Sequence, residues 1–241
     1  MTDVSIDKRI TTLQRFCVAV IFSAAFGYIE AAVVVYLREI FYPGGFTFPL
    51  NIFIIDPVSK RLFLTEVGRE ASTLVLILTG AWLFGGNLRQ RAAYFLTIFA
   101  VWDIFYYIWL KVLLDWPASI MDWDILFLIP VSWAGPVLAP VLASSVMLSF
   151  AVIILYRDCC GWPIKICFFD WLAFSLAALV IVVSFRIPGP HVAQENYRAY
   201  FYWPLFAVGL VFAILVFVKC MVKSKQILSK QQSEEAGPES D

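Results

Sequence analysis

The fold class predicted by this sequence is an all-α polytopic membrane bundle of about six transmembrane helices, and three observations predict it. Of 241 residues, 61% are hydrophobic and 15% charged, whereas charged residues make up roughly a quarter of a soluble domain. Mean hydropathy is +0.82. The apolar residues gather in runs that reach the roughly 20 residues a helix needs to cross a bilayer, separated by short segments carrying Arg, Lys, Pro and Gly.

The first of these runs, positions 16–37 (FCVAVIFSAAFGYIEAAVVVYL), is of full spanning length with no small-residue cleavage site, so it reads as a retained anchor and not a removed signal peptide. Next comes Glu39 to Gly68, too apolar for a solvated loop, in which Pro43, Gly44, Gly45, Pro49 and Pro57 stop a long helix. This apolar outer loop between helices 1 and 2 is expected to lie on the membrane surface or fold back as a lid. Positions 70–88 and 92–113 give the second and third helices. The fourth run, 125–156, exceeds one span and is broken by Pro130, Gly135, Pro136 and Pro140. The reading is a half-helix over DILFLI, a bend at PVSWAGP and a full helix from about Val137. Unwound backbone at membrane depth is tolerated where it is buried in protein or lines a cavity. Positions 168–187 and 201–220 complete the six. The division is a 1–15 N-terminal segment, a 16–222 transmembrane domain and a 223–241 disordered tail.

Orientation follows from basic residues. Lys8, Arg9, Arg15, Arg89, Arg91, Arg157, Lys165, Lys219, Lys223, Lys225 and Lys230 fall on one side; Arg38, Lys60, Arg61, Arg69, Arg186 and Arg198 fall on the other. The excess marks the cytoplasmic side and puts both termini there. Cys17, Cys159, Cys160, Cys167 and Cys220 lie at that same side, where a reducing compartment keeps thiols free. The formal charge is zero, so nothing favours nucleic acid; the expected surroundings are the lipid bilayer and a homo-oligomeric or membrane-complex partner.

Charges inside the spans carry the functional signal. A charge at bilayer depth costs several kcal/mol, so such groups face a protein interior or a wet cavity. Asp103 sits midway along the third run and Glu30 within the first. Asp103, Tyr107 and Lys111 fall at i, i+4 and i+8, one helical stripe about 12 Å long; Glu30 lies about 12 Å below Arg38 by the same rise. Glu66, Arg69 and Glu70 share a helix face at i, i+3 and i+4, and Asp124 opens the expected half-helix, where a carboxylate caps free N–H groups. These nine residues are the binding or coupling candidates, converging on an outward-facing pocket walled by Trp102, Trp109, Trp123 and Trp133. The competing expectation is that each acid merely pairs with a base and pins helices together.

His191 is the single histidine, which rules out a His-based metal site, and no cofactor is expected: there is no Walker loop, G-x-S-x-G, H-E-x-x-H or dinucleotide fingerprint. The segments YLREIFYPGGFTFPL, EVGREASTL, WDIFYYIWLK and DWDILFLIPVSWAGPVLAP resemble a group of bacterial multi-pass membrane proteins with no assigned activity. The likeness covers about residues 28–145; it implies a bacterial inner-membrane address and carries over no catalytic residue. The leading functional expectation is a small-solute or ion-coupled transporter using Glu30 and Asp103. The alternatives are a non-catalytic complex subunit or assembly factor, and a lipid- or isoprenoid-modifying enzyme whose Arg38, Arg69 and Lys111 hold an anion.

Overall fold

The computed structural model describes residues 2–50, 57–129 and 131–235, with side chains described over 9–50, 60–129 and 131–226. In chain order these form α1 (Thr2–Phe41), α2 (Pro57–Phe84), α3 (Leu88–Leu114), β1 (Trp123–Phe127), β2 (Trp133–Pro136), α4 (Leu138–Cys159), α5 (Phe168–Arg186), two 3₁₀ turns (Gly189–His191 and Tyr197–Tyr200) and α6 (Trp203–Glu235). All six α-helices contain stretches long and apolar enough to cross a membrane. The chain is a helical, multi-pass integral membrane protein.

Local chemistry sets the helix ends. Asn87 caps α3, its side chain accepting from the Gln90 N–H at 3.0 Å, the expected job of a short polar side chain before a first turn. At the other end Asp115 adopts the left-handed conformation with φ 54° and closes the helix by donating its N–H to the Lys111 carbonyl. Cys167 and Asp170 form a reciprocal capping box at the start of α5.

The helices pack in a fixed order: α1 along α3, α3 along α4, α2 on α3, and α5 on α6. Gly27 lets α1 approach α3 closely, because a Cβ there would stand 2.9 Å from the Trp102 carbonyl oxygen; small residues at helix contacts are how membrane bundles gain packing without a hydrophobic drive. One core, around Ile77, Tyr94, Ile98, Trp102, Leu155 and Phe217, occupies the half of the bundle nearer the α2–α3 turn. A second, around Leu50, Trp123, Phe185, Tyr197, Phe201 and Phe206, closes the opposite end.

The expected half-helix is corrected. The first four residues of DILFLI, 124–127, belong to β1, which pairs antiparallel with β2 in the register Trp123↔Pro136, Asp124↔Gly135, Ile125↔Ala134 and Phe127↔Trp133. The physical reason is length and partners: a six-residue apolar run is too short to close many helical bonds, while WAGP a few residues on supplies a ladder. Gly135 fits closely there, since a Cβ would lie 3.1 Å from both the Phe185 and Phe201 rings, which would have to shift by a few tenths of an ångström. The single full helix that follows, α4, agrees with the expectation from Val137 onward.

Of the expected outer loop Glu39 to Gly68, positions 39–41 continue α1 and 57–68 begin α2, Pro57 opening that helix where its missing N–H costs nothing; the described stretch between the helices, 42–50, folds back over the bundle. Phe48 packs on Trp123 and Tyr197, and Leu50 donates its N–H to the Val192 carbonyl at 2.8 Å. The loop's 51–56 stretch and Pro130 of the break lie outside the described residues. At the far end of the chain α6 continues to Glu235, through positions 223–235 where a disordered tail is expected from the sequence; 236–241 lie outside the described residues.

Candidate polar site in the central cleft

Between α2 and α5 runs a cleft of about 1310 Å³, floored by α3 and α4 and closed at one end by the hairpin and the last turns of α1. From Glu66 to Trp82 on the α2 wall it spans about 24 Å at the helical rise of 1.5 Å per residue, most of a hydrocarbon core. Its lining is unevenly distributed. Leu78, Phe95, Phe99, Met147, Phe150 and Phe174 make the long middle apolar, and the charges gather at the hairpin end, with Arg91 alone at the other.

Eight of the nine predicted residues line this cleft: Glu30, Arg38, Glu66, Arg69, Glu70, Asp103, Tyr107 and Asp124. Lys111 does not. Its Nζ lies 2.7 Å from Asp115 Oδ1 and donates to the Asp115 and Pro117 carbonyls at 3.2 Å. The i+8 spacing from Asp103 is real, but the lysine stem reaches past the last turn of α3 to the nearest acceptors beyond it.

Two ion-pair groups bind the elements. In the first, Arg69 of α2 forms salt bridges to Glu30 of α1 and to Glu66 one turn earlier in its own helix, its Nε meeting Glu66 Oε2 at 2.8 Å; Thr73 adds a long bond to Glu30. In the second, Arg38 of α1 pairs with Asp124 of β1 at 3.2 Å and lies between rings, its guanidinium carbon 3.8 Å from the Trp116 centroid and 4.1 Å from that of Phe46. Such stacking suits a planar, weakly hydrated cation. Asp124 also accepts from the Tyr106 hydroxyl at 3.1 Å and from the Ile125 N–H at 3.0 Å. Burial pushes its carboxyl above the ordinary range, and Arg38, Tyr106 and the Ile125 N–H pull the other way.

Two acids of the lining have no basic partner among the described residues. Asp103, 9% exposed, accepts only from Ser144 Oγ at 2.8 Å, on its Oδ2; no ion pair within 4 Å reaches it among the described residues. Glu70, 5% exposed, spends both oxygens on the Leu128 N–H, at 2.8 and 3.0 Å, and so latches the hairpin to α2. Conversely, Arg186 at the C-terminal end of α5 lines the cleft half-buried with no partner among the described residues. The hairpin end therefore holds five acids (Glu30, Glu66, Glu70, Asp103 and Asp124) against Arg38, Arg69 and Arg186.

Sequence reasoning missed Tyr106, Ser144 and Arg186. Tyr106 is the neighbour of the residue chosen by stripe geometry, and Ser144 is a small polar residue in an apolar run, a signal too common to single out. Of the four predicted wall tryptophans, Trp102 and Trp133 line the cleft; Trp109 instead donates to the Ala24 carbonyl, and Trp123 is buried in the second core. No family model, no curated protein and no solved structure matches this chain.

Proposed function

We propose that this protein is a carrier whose cleft binds a cationic solute and exchanges it against protons on Asp103 and Glu70. The observation that supports it is the pair of buried carboxyls that face one membrane-depth cavity without a basic partner among the described residues. An isolated carboxylate away from water is costly, and it is neutralised by taking up either a proton or a positive group of a ligand. Occupying the same carboxyls in turn, the two species compete, and competition for one site is what couples their movement. Glu30, by contrast, is committed to Arg69, so the coupling role moves from Glu30 to Glu70 while Asp103 keeps it. An anion-holding enzyme site is less favoured, because Arg38 and Arg69 are already neutralised by carboxylates. The basic-residue bias supports a topology with both termini cytoplasmic and the charged end of the cleft outward; the bacterial inner-membrane address rests on the resemblance of residues 28–145 alone.

The test uses proteoliposomes enclosing a pH-sensitive dye, exposed to quaternary ammonium ions from tetramethylammonium to dodecyltrimethylammonium, which carry no exchangeable proton. Wild-type protein should let lumenal pH rise as cation enters and protons leave, and Asp103→Asn should abolish the rise. No pH change with any member of the series would end the carrier reading.

A further inference from the structure

The cleft has the shape of an amphiphile. Its apolar trench runs from Phe95 past Phe99 and Met147 to Asp103, with the acids gathered at that end and Arg91, stacked on Trp82, at the other. We infer that the ligand is a single hydrocarbon chain bearing an ammonium head, taken from the bilayer between α2 and α5, with the head at Asp103 and the chain along the trench. This rests on the carrier reading for what the site does, and goes beyond it in naming what the site holds.

Two observations converge. First, charge: the acids outnumber the bases at the hairpin end, and the two unpaired acids select a positive head group. Second, the position of Asp103: it is buried, its Oδ1 has no hydrogen bond among the described residues, and it stands where the apolar lining gives way to the charged one. Arg186, half-buried in the same lining with no partner among the described residues, would be met by acceptor oxygens beside the ammonium where the source is a zwitterionic phospholipid. The ammonium chain is the shared chemistry; a simple alkylammonium cation and an ammonium phospholipid are its two sources.

Access from the side follows from the walls. Leu78 and Trp82 on α2 and Ala178 on α5 line the cleft and remain exposed, so the trench is not sealed by protein along its length, and in an apolar bundle an unsealed flank meets lipid hydrocarbon.

Native mass spectrometry of the full-length protein, released from a neutral sugar-headed detergent, counts bound probes directly. Dodecyltrimethylammonium should bind at least about tenfold more tightly than tetramethylammonium and than dodecyl phosphate, and Asp103→Asn should remove its advantage over dodecyl phosphate. Ala178→Trp, which narrows the trench without touching a carboxyl, should weaken the long-chain probe and spare tetramethylammonium; this keeps the inference testable if Asp103→Asn fails to fold. Lysophosphatidylethanolamine binding that drops with Arg186→Gln would identify a phospholipid source, and binding of dodecyltrimethylammonium alone a simple lipophilic cation. Equal binding of dodecyl phosphate, or no dependence on chain length, overturns the inference. Long-chain binding without proton movement would leave it standing and remove the carrier reading; proton movement driven by tetramethylammonium with no chain-length effect would do the reverse.

Discussion

Buried acids occur at both ends of this bundle, and they are treated differently. Near the α4–α5 turn, Asp170 is fully buried yet fully occupied: it accepts from the Cys167 N–H at 3.0 Å, the Cys167 thiol at 2.9 Å and Lys219 Nζ at 3.0 Å. Asp158 at the same end accepts from the Gln90 amide at 2.7 Å and lies 3.5 Å from Arg89. These contacts tie α3 to α4 and α5 to α6. At the hairpin end Asp124 is held in the same manner, but Asp103 and Glu70 meet no base among the described residues and face an open cleft. The lesson is that submersion alone does not mark a working acid. What separates a clamp from a site is whether the protein itself supplies the counter-charge.

The contrast is broken most sharply at Asp124. Asp124→Ala leaves Arg38 buried without its counter-ion, and removing one member of a buried pair costs about 3–5 kcal/mol. Denaturation in detergent should show a larger stability loss for this variant than for a substitution at Asp170, Asp103 or Lys111, and Arg38→Gln combined with Asp124→Asn should recover part of it. A loss no greater for Asp124→Ala than for the double variant would mean that the rings around Arg38 already satisfy it.

Asp170 comes next. Asp170→Ala removes the carboxylate that closes the α5 capping box, and caps of this kind are worth about 0.5–2 kcal/mol. The same variant should leave ammonium-driven proton movement intact once folded protein is reconstituted. Loss of that movement at unchanged thermal stability would place the α4–α5 end in the working site and dissolve the distinction between the two ends.

Asp103→Asn is expected to move stability least among the buried acids. The amide keeps an acceptor for Ser144 and removes a carboxyl that nothing opposes, so the change should stay within about 1 kcal/mol, the size of an ordinary hydrogen bond. Function should disappear. A destabilisation as large as that of Asp124→Ala would make Asp103 a clamp whose partner is a neighbouring side chain, and the cleft would lose its selecting charge.

The six spans were legible because lipid imposes a length and an apolar composition on every crossing helix, and Glu30 and Asp103 stood out against that background. Pairing was not legible. Nothing in one sequence says that Arg38 reaches 86 positions along the chain to Asp124 while Arg69 turns to Glu30; the partners are chosen by how α1, α2 and the hairpin pack. The hairpin itself hid behind its prolines, which stop a helix as readily as they border a strand. Arg186 read as a helix-end cation of the outer side, and only the course of α5 past β2 brings it to the cleft.

Lys111 supplies the smallest and most discriminating effect. The stripe reading joined it to Asp103, whereas it pairs with Asp115 in an exposed i, i+4 contact, and such contacts contribute little. Lys111 holds the Asp115 carboxyl below its ordinary value of 3.8, by hydrogen bond and by charge. A carboxyl lowered in the folded state adds stability above its unfolded pKa and loses it as pH falls through the folded one. Melting curves of wild type and Lys111→Met should therefore nearly coincide at neutral pH, and whatever gap exists should close, not widen, as the pH drops below 3.8. Ammonium-driven proton movement should be unchanged in the variant. A loss of movement at neutral pH would return the lysine to the stripe it shares with Asp103, and would make the charged end of the cleft longer than the geometry draws it.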